Sequence, residues 1–215
     1  MEAERQRERD VYYMALADSV RARANCLGTE VGAVLVLNNR VIGTGYNGTP
    51  ANFDNCRDGG CLRCSEHFKK GEVERATKGA VYESPHPETV AGKALDICFC
   101  VHAEQNAILS AARHGIAVAN ATLYTTHQPC FSCLKETIQA GVTRIVYLVP
   151  WYGAKDQALR DQYDRLTDLL EPIKGGNPFH KLDPELYKVF RSDMPTALED
   201  LKPRNTRAPT MDSGA

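Results

Sequence analysis

The sequence has no excess of charge of either sign. Its 215 residues carry 26 Lys and Arg against 27 Asp and Glu, which gives a formal net charge of −1. A protein that binds the phosphate backbone of a nucleic-acid polymer usually presents clustered positive charge. The balance therefore argues against DNA or RNA polymers as partners.

Long apolar segments are also missing from the sequence. No run approaches the roughly 18–20 residues that a membrane-spanning helix needs. The first ten residues, "MEAERQRERD", are highly charged and do not resemble a secretory or transit leader. There is also no Gly-rich phosphate-binding loop and no internal repeat. We expect a cytoplasmic protein that does not bind membranes.

Cysteine, in contrast, is abundant, with eight residues. In a chain without a secretory leader, metal binding or catalysis explains cysteines better than disulfides do. The spacings agree with metal binding. They comprise two C-x-x-C pairs, Cys61 with Cys64 and Cys130 with Cys133, one C-x-C pair, Cys98 with Cys100, and two isolated residues, Cys26 and Cys56.

Helical and strand patterns alternate along the chain, which predicts a layered α/β domain. A turn at Asn38-Asn39 joins two strand patterns into a hairpin. The predicted helices cover residues 10–25, 103–113, 131–140 and 154–170, and the predicted strands cover 31–37, 40–46, 121–126 and 144–149.

The length allows one full hydrophobic core and not two. We expect residues 1–171 to form that domain. Residues 52–101 are a polar insert rich in Gly, Pro, Cys and His, and so long a loop needs something to hold it. Residues 172–215 form an extension with a short helix at "PELYKVF", a poor strand pattern in "EPIKGGNPFHKL", and a mobile tail from Ser192 onward.

Two short stretches are predicted to form a metal site. His102 begins one predicted helix, and Cys130 and Cys133 begin the next. Helix starts in layered α/β sheets lie at the carboxyl ends of strands, so the stretches are expected to converge there. One imidazole and two thiolates leave the fourth position of a tetrahedral zinc ion for water, which is typical of a catalytic site. Glu104 is close enough to transfer protons as a general acid and base.

The motif His102-x-Glu104 followed by Pro129-Cys130-x-x-Cys133 is the signature of zinc-dependent nucleobase deaminases. Further motifs are "VGAVLV", "GYNGTP", "HAEQNAIL" and "ATLYTT". Over residues 10–150 the chain resembles the deoxycytidylate (dCMP) deaminases of the cytidine deaminase superfamily. The resemblance implies a three-layer α/β/α fold with a central mixed sheet of about five strands. It also implies a hydrolase that converts dCMP to dUMP and ammonia, as in the supply of dUMP for thymidylate synthesis.

The resemblance implies roles for individual residues. Water attacks C4 of cytosine, and Glu104 protonates N3 and then carries a proton to the leaving amino group. Asn47 is similar to the asparagine that binds the deoxyribose 3′-hydroxyl, although Asn47-Gly48 also fits a plain turn. The backbone amide of Ala103 is expected to contact the base carbonyl.

Three further substrate-binding candidates keep open alternatives. Arg113 matches an arginine of the family at the end of the long helix, and it equally fits a charge that stabilises the helix dipole. Trp151 and Tyr152 follow a strand end, where they either pack on a base or sugar or serve as core or interface aromatics.

The remaining cysteines are expected to hold a second, structural zinc, as in some dCMP deaminases that this sequence resembles. Our first choice is Cys61, Cys64 and Cys98, completed by Cys56 or Cys100. The alternative is a set of buried free thiols. Cys26 is interpreted as a core residue, although some of the relatives that this sequence resembles place a ligand in that region.

The resemblance also implies a homo-oligomer, which is a hexamer in many family members. In these members dCTP activates the enzyme and dTTP inhibits it.

One alternative function is deamination of another cytosine nucleotide or nucleoside, a modified cytosine, or a base in RNA. "GYNGTP" favours the nucleotide. The other alternative is a zinc-stabilised module without activity, against which the intact His102, Glu104 and cysteine pair argue.

Overall fold

The computed structural model describes residues 1–64, 98–151, 157–174 and 178–193. Within these residues the elements are α1 (Glu2–Arg21), β1 (Gly32–Leu37), β2 (Arg40–Tyr46), α2 (Ala103–Arg113), β3 (Thr122–His127), α3 (Phe131–Gln139), β4 (Arg144–Val149), α4 (Gln157–Lys174), β5 (Phe179–Lys181) and α5 (Pro184–Asp193). No helix in this part of the chain is long and apolar enough to cross a membrane.

The strands form one mixed sheet in the order β2-β1-β3-β4-β5. β1 is antiparallel to β2 and β3, whereas β4 is parallel to β3 and β5. The predicted hairpin turn is confirmed, since Asn38 and Asn39 both have positive φ, at 50° and 58°, as a tight type I′ turn requires. The prediction of a mixed sheet of about five strands is also confirmed.

Helices cover both faces of this sheet because residues within a strand alternate between the faces. On β1, Val34 and Val36 pack in a cluster with α1 and α5. Ala33 and Leu35 pack in a second cluster with α2, α3 and α4. This arrangement is the three-layer α/β/α architecture that the sequence predicts.

Helix α1 begins at Glu2, earlier than the predicted residue 10. Apolar residues at helical spacing start only at Val11. The first two turns of α1 therefore have no sequence pattern that indicates burial. These turns are rich in Glu, Arg and Gln, which have good helix propensity. Side chains one turn apart support them, for example Gln6 donating to Asp10 Oδ1 at 2.9 Å.

Strand β5 lies in the segment whose strand pattern is poor. It pairs with β4 through the Ile145 N–H donated to Pro178 O at 2.7 Å and the Leu182 N–H donated to Tyr147 O at 2.8 Å. Leu182 and Tyr187 are buried in the core beside it. The sheet therefore uses residues beyond 171. Residues 194–215, which include nearly all of the expected tail, lie outside the described residues.

A buried network of hydrogen bonds and one ion pair links α1 to the sheet. Asp10 is 1% exposed and accepts hydrogen bonds from Tyr124 Oη at 2.9 Å and from Arg144 at 2.7 and 2.6 Å. Burial by itself would raise the pKa of Asp10, but the hydrogen bonds and charge of Arg144 outweigh it and lower the pKa below its ordinary value.

Candidate metal centre

The chain enters α2 at a fixed position. His102 is the residue before the helix and has an extended backbone, with φ −73° and ψ 158°. Its N–H donates to Gln105 Oε1 at 2.9 Å. The preceding Val101 exchanges two backbone hydrogen bonds with Gly48, at 2.8 and 3.2 Å. Hydrogen bonds therefore hold the chain both before and after His102, and the His102 side chain projects from this fixed helix start.

Two cysteines face His102 from the start of α3. Cys130 is the residue before that helix, and Cys133 lies in its first turn. Nδ1 of His102 is 3.5 Å from Cys130 Sγ and 3.3 Å from Cys133 Sγ. These three ligand atoms lie within 4.8 Å of one another. The structure thus brings together the two stretches that the sequence predicts to converge.

This donor set fits zinc. Three protein ligands, one nitrogen and two sulfurs, leave a tetrahedral ion with one position for solvent. A hydrogen bond with Cys133 lowers the pKa of Cys130 to about 4, against the effect of burial. The positive ends of α2 and α3 favour negative charge at the same place. A thiolate at Cys130 is the form that a metal ion binds.

Glu104 lies in the first turn of α2 and is 4% exposed. Burial raises the pKa of Glu104 to about 7, although the positive charge of His102 opposes this shift. A carboxyl group with a pKa near neutrality can both accept and donate a proton at physiological pH. The site therefore places a carboxyl group with a pKa near neutrality beside the three candidate metal-ligand atoms.

Two predicted substrate contacts, Ala103 and Asn47, lie among the described residues. Ala103 is the first residue of α2, where backbone N–H groups have no partner within the helix. Asn47 is buried, and its side chain accepts from the Val31 N–H and donates to Thr29 O, both at 2.7 Å. An amide side chain has two N–H groups and two acceptor lone pairs, so one of each remains for a ligand. The contact with a sugar stays a prediction.

Of the other three substrate candidates, the structure describes Arg113 and Trp151. Arg113 is exposed in the last turn of α2, about 15 Å along the helix from Ala103. Trp151 packs on Tyr163, with ring centroids 4.8 Å apart, and its N–H donates to Gln128 Oε1 at 3.0 Å. Tyr152 lies outside the described residues. Within one chain, the structure does not bring Arg113 to the metal ligands.

The remaining cysteines also come together. All five predicted candidates lie in one buried cluster, and Cys26 joins them. The sequence prediction favours a core role for Cys26 over a ligand role, because no short spacing connects it to another cysteine. The sulfur atoms form two overlapping sets of four, namely Cys26, Cys56, Cys64 and Cys100, and Cys61, Cys64, Cys98 and Cys100.

Two supporting residues were missed by the sequence prediction. Gln105 accepts from the His102 N–H and donates to Glu136 Oε1 at 3.1 Å, which links α2 to α3. A glutamine three residues after the residue that caps a helix is a recognisable capping signal, so this contact could have been found. The hydroxyl of Tyr163 donates to Pro129 O at 2.8 Å and holds the turn before Cys130, and no sequence pattern indicates it.

Comparisons with known proteins point to one family. The model for the cytidine and deoxycytidylate deaminase zinc-binding region matches residues 7–149. The chain is 40% identical over 138 residues to the deoxycytidylate deaminase of Schizosaccharomyces pombe, which covers 64% of this chain and 36% of that protein. It is 36% identical over 138 residues to the deoxycytidylate deaminase of Mycobacterium phage D29, which covers 64% of this chain and 92% of that protein.

One solved structure gives the same indication. The apo dCMP deaminase from the cyanophage S-TIM5 superposes with a TM-score of 0.51 at 26% identity, covering 81% of this chain and 97% of that one. In contrast, the chain spans only 36% of the length of the deoxycytidylate deaminase of Schizosaccharomyces pombe. It spans the same share of the deoxycytidylate deaminase of Saccharomyces cerevisiae.

Proposed function

The chain belongs to the cytidine and deoxycytidylate deaminase family, and we propose that it hydrolyses dCMP to dUMP and ammonia. The observation that carries this proposal is the convergence of His102, Cys130 and Cys133 beside the buried Glu104. The three relatives described above are named deoxycytidylate or dCMP deaminases, which supports dCMP as the substrate. A zinc module without activity would have no need for a carboxyl group at this position.

We propose that His102 and the two cysteines of α3 hold the zinc ion that is typical of this family. When bound, such an ion lowers the pKa of water to about 7 and makes a nucleophile available at neutral pH. The imidazole contributes Nδ1, and Gln105 holds the backbone of His102 so that this nitrogen faces the two sulfurs.

Glu104 carries the protons in this proposal. Its carboxylate accepts a proton from the attacking water and delivers it to N3 of the cytosine ring as the C4–O bond forms. It then carries the remaining hydroxyl proton to the exocyclic nitrogen, so that the C4–N bond breaks and ammonia leaves. The uracil product keeps the proton on N3 and a carbonyl group at C4, which balances dCMP and water against dUMP and ammonia.

The neighbouring residues orient the nucleotide. The Ala103 N–H points out of the first turn of α2 and is suited to the base carbonyl. The second amide hydrogen of Asn47 is suited to the 3′-hydroxyl, since the first is donated to Thr29 O. Trp151 and Tyr152 remain candidates for contacts with the base or sugar.

The phosphate contact is proposed to come from a second subunit. Arg113 is exposed and lies at the far end of α2 from His102, a position that suits a contact with a phosphate at the site of a neighbouring chain. We accordingly propose a homo-oligomer, a hexamer by family resemblance, with dCTP as activator and dTTP as inhibitor.

We also propose a structural metal site in the cysteine-rich insert. We propose a cytoplasmic location as well, because closely packed free thiols suit a reducing compartment.

The proposed reaction is tested by following dCMP conversion by the zinc-loaded protein and by Glu104→Gln. This variant keeps the size of the side chain and removes the transferable proton. We expect it to retain its zinc and its fold and to lose about 10²–10⁴-fold in kcat. Turnover close to that of the wild type would contradict the role assigned to Glu104.

A further inference from the structure

The cysteine cluster outside the candidate metal centre is a small core built almost entirely of sulfur. Among the described residues, only Leu27 joins the six cysteines in it. None of the six forms a disulfide. A core this poor in carbon side chains buries too little apolar surface to order the loops around it, and in such regions metal ions usually provide the stability.

The sulfur–sulfur distances are those between ligands of one metal ion. Cys26 Sγ is 4.0 Å from Cys64 Sγ, and Cys98 Sγ is 3.9 Å from both Cys61 Sγ and Cys64 Sγ. A disulfide would need about 2.05 Å. A tetrahedral zinc ion with Zn–S bonds of about 2.3 Å separates its sulfur ligands by about 3.8 Å. The cluster therefore has the spacing of coordinated thiolates.

The cluster contains two complete ligand sets that overlap. Each set has four sulfur atoms within 4.8 Å of one another, which is the number a structural zinc ion requires. Cys64 and Cys100 belong to both sets. Two tetrahedra that share two corners have this arrangement, in which the shared atoms bridge two metal ions.

We propose that the six cysteines hold two zinc ions as a binuclear centre. Cys64 and Cys100 bridge the two ions through their sulfur atoms. Cys26 and Cys56 complete the coordination of one ion. Cys61 and Cys98 complete the coordination of the other.

Hydrogen bonds from the surrounding chain fit this assignment. The Leu27 N–H donates to Cys56 Sγ at 3.3 Å, and the Phe99 N–H donates to Cys61 Sγ at 3.4 Å. Cys56 and Cys61 are terminal ligands of different ions in this assignment, so each ion has one ligand sulfur that accepts a backbone hydrogen bond. Such donors stabilise coordinated thiolates.

The number of sulfur atoms also favours two ions over one. A single zinc ion would use four sulfur atoms and leave two buried thiols of the cluster without a metal. Two zinc ions bind all six sulfur atoms, and their four positive charges neutralise four of the six thiolate charges. The guanidinium of Arg63 lies beside the proposed bridging residue Cys64, with Nη1 3.8 Å from Sγ, and it offsets part of the remaining negative charge.

The centre would connect three separate parts of the chain. Cys26 follows α1, Cys56 to Cys64 open the insert, and Cys98 and Cys100 end it. Cys100 is two residues before His102, so the binuclear centre would also anchor the entry to α2. A polar insert could thus stay attached to the domain without a large apolar core.

Metal content per chain is the first test. Elemental analysis of the purified wild-type protein should give three zinc ions, two from the cluster and one from the site at His102. His102→Ala should keep two, whatever its effect on deamination, so a failure of the proposed reaction does not affect this count. Two zinc ions in the wild type, or iron with acid-labile sulfide, would overturn the proposal.

Cadmium NMR tests the bridging directly and needs no variant. After replacement of zinc by cadmium, two signals of the all-thiolate type should show coupling to each other through the shared sulfur atoms. A single signal of this type, or two uncoupled signals, would show that the ions share no ligand and would overturn the binuclear centre.

Single variants locate the ligands. Cys26→Ala should lower the zinc content by one or more ions, since Cys26 is a terminal ligand of one ion. Cys130→Ala is the matched control, because it should remove the zinc at His102 and leave the coupled cadmium pair intact. A single-zinc cluster built on Cys61, Cys64, Cys98 and Cys100 predicts instead that Cys26→Ala retains all its zinc. If Cys26→Ala does not fold, the wild-type metal count and the cadmium spectrum still distinguish a cluster with two zinc ions from a cluster with one.

Discussion

At the scale of single residues, the turn before Cys130 depends on one hydrogen bond from another helix. Tyr163 lies on α4, and its hydroxyl donates to Pro129 O at 2.8 Å in a buried environment. Its ring also packs on Trp151. The position of Cys130, a candidate metal ligand, is therefore set in part by a residue of another helix.

Tyr163→Phe should accordingly weaken metal binding and stability together. The substitution leaves the buried Pro129 carbonyl without its donor, which costs about 1–3 kcal/mol. We expect a lower melting temperature and faster loss of zinc to a chelator. Tyr12→Phe is the control, because Tyr12 is 52% exposed and the change should have little effect. Equal behaviour of the two variants would show that the hydroxyl of Tyr163 does not position the site.

The convergence of the candidate metal ligands could be predicted from the sequence because metal chemistry requires particular residue types at short spacings. His102, Glu104, Cys130 and Cys133 form such a pattern, and the structure brings them together. Cys26 lacks any such neighbour in sequence, and its approach to Cys64 depends on how the loop after α1 folds back. Contacts of that kind depend on tertiary structure and leave no local pattern.

At the scale of elements, β2 and α2 approach closely through glycine. A Cβ atom on Gly45 would overlap the backbone carbonyl of Ala103 and the backbone nitrogen of Ala107. The first turn of α2 therefore takes its position directly from the strand beneath it. Because that turn also carries Glu104, strand packing and site geometry are coupled.

Gly45→Ala should push the first turn of α2 away from the sheet. We expect a loss of stability of about 1–3 kcal/mol from overpacking, together with a drop in kcat for dCMP. Unfolding in urea and steady-state kinetics measure the two effects. Thr44→Ala is the matched control, because Thr44 is exposed on the same strand. A Gly45→Ala protein with wild-type stability and kcat would contradict the proposed coupling.

The elements differ in how far the sequence predicts them. The limits of β2, α2 and β4 match the prediction because each has a clear apolar pattern and a turn or glycine beyond its end. β5 has three residues, too few for alternation to be visible. It forms because β4 offers an open edge, which is a property of the assembled sheet.

At the scale of the whole molecule, the Asp10–Arg144 pair joins the first helix to the centre of the sheet. The pKa of Asp10 is lowered in the folded protein. Its contribution to stability is therefore fully present above the ordinary carboxyl pKa, and it is lost as the pH falls through that value toward the lower folded pKa. The protein should thus lose stability in acid partly through this one group.

Asp10→Asn should be less stable at neutral pH and should depend less on pH below about 5. Removing one partner of a buried pair costs about 3–5 kcal/mol, and we expect the lower end because the Arg144 side chain is 26% exposed. Denaturant unfolding across the acid range gives the measurement. Glu2→Gln serves as the control, since it breaks an exposed pair with Arg9. An unchanged acid slope in Asp10→Asn would refute this account.

The proposed deamination of dCMP is best measured with a panel of cytosine substrates. The zinc-loaded protein would be given dCMP, CMP, deoxycytidine and dCTP as substrates, with and without dCTP as effector. The loss of cytosine absorbance and the release of ammonia would be followed together. We predict the highest kcat/KM for dCMP, with equal amounts of dUMP and ammonia formed. No conversion of dCMP, or a clear preference for another of these substrates, would contradict the account.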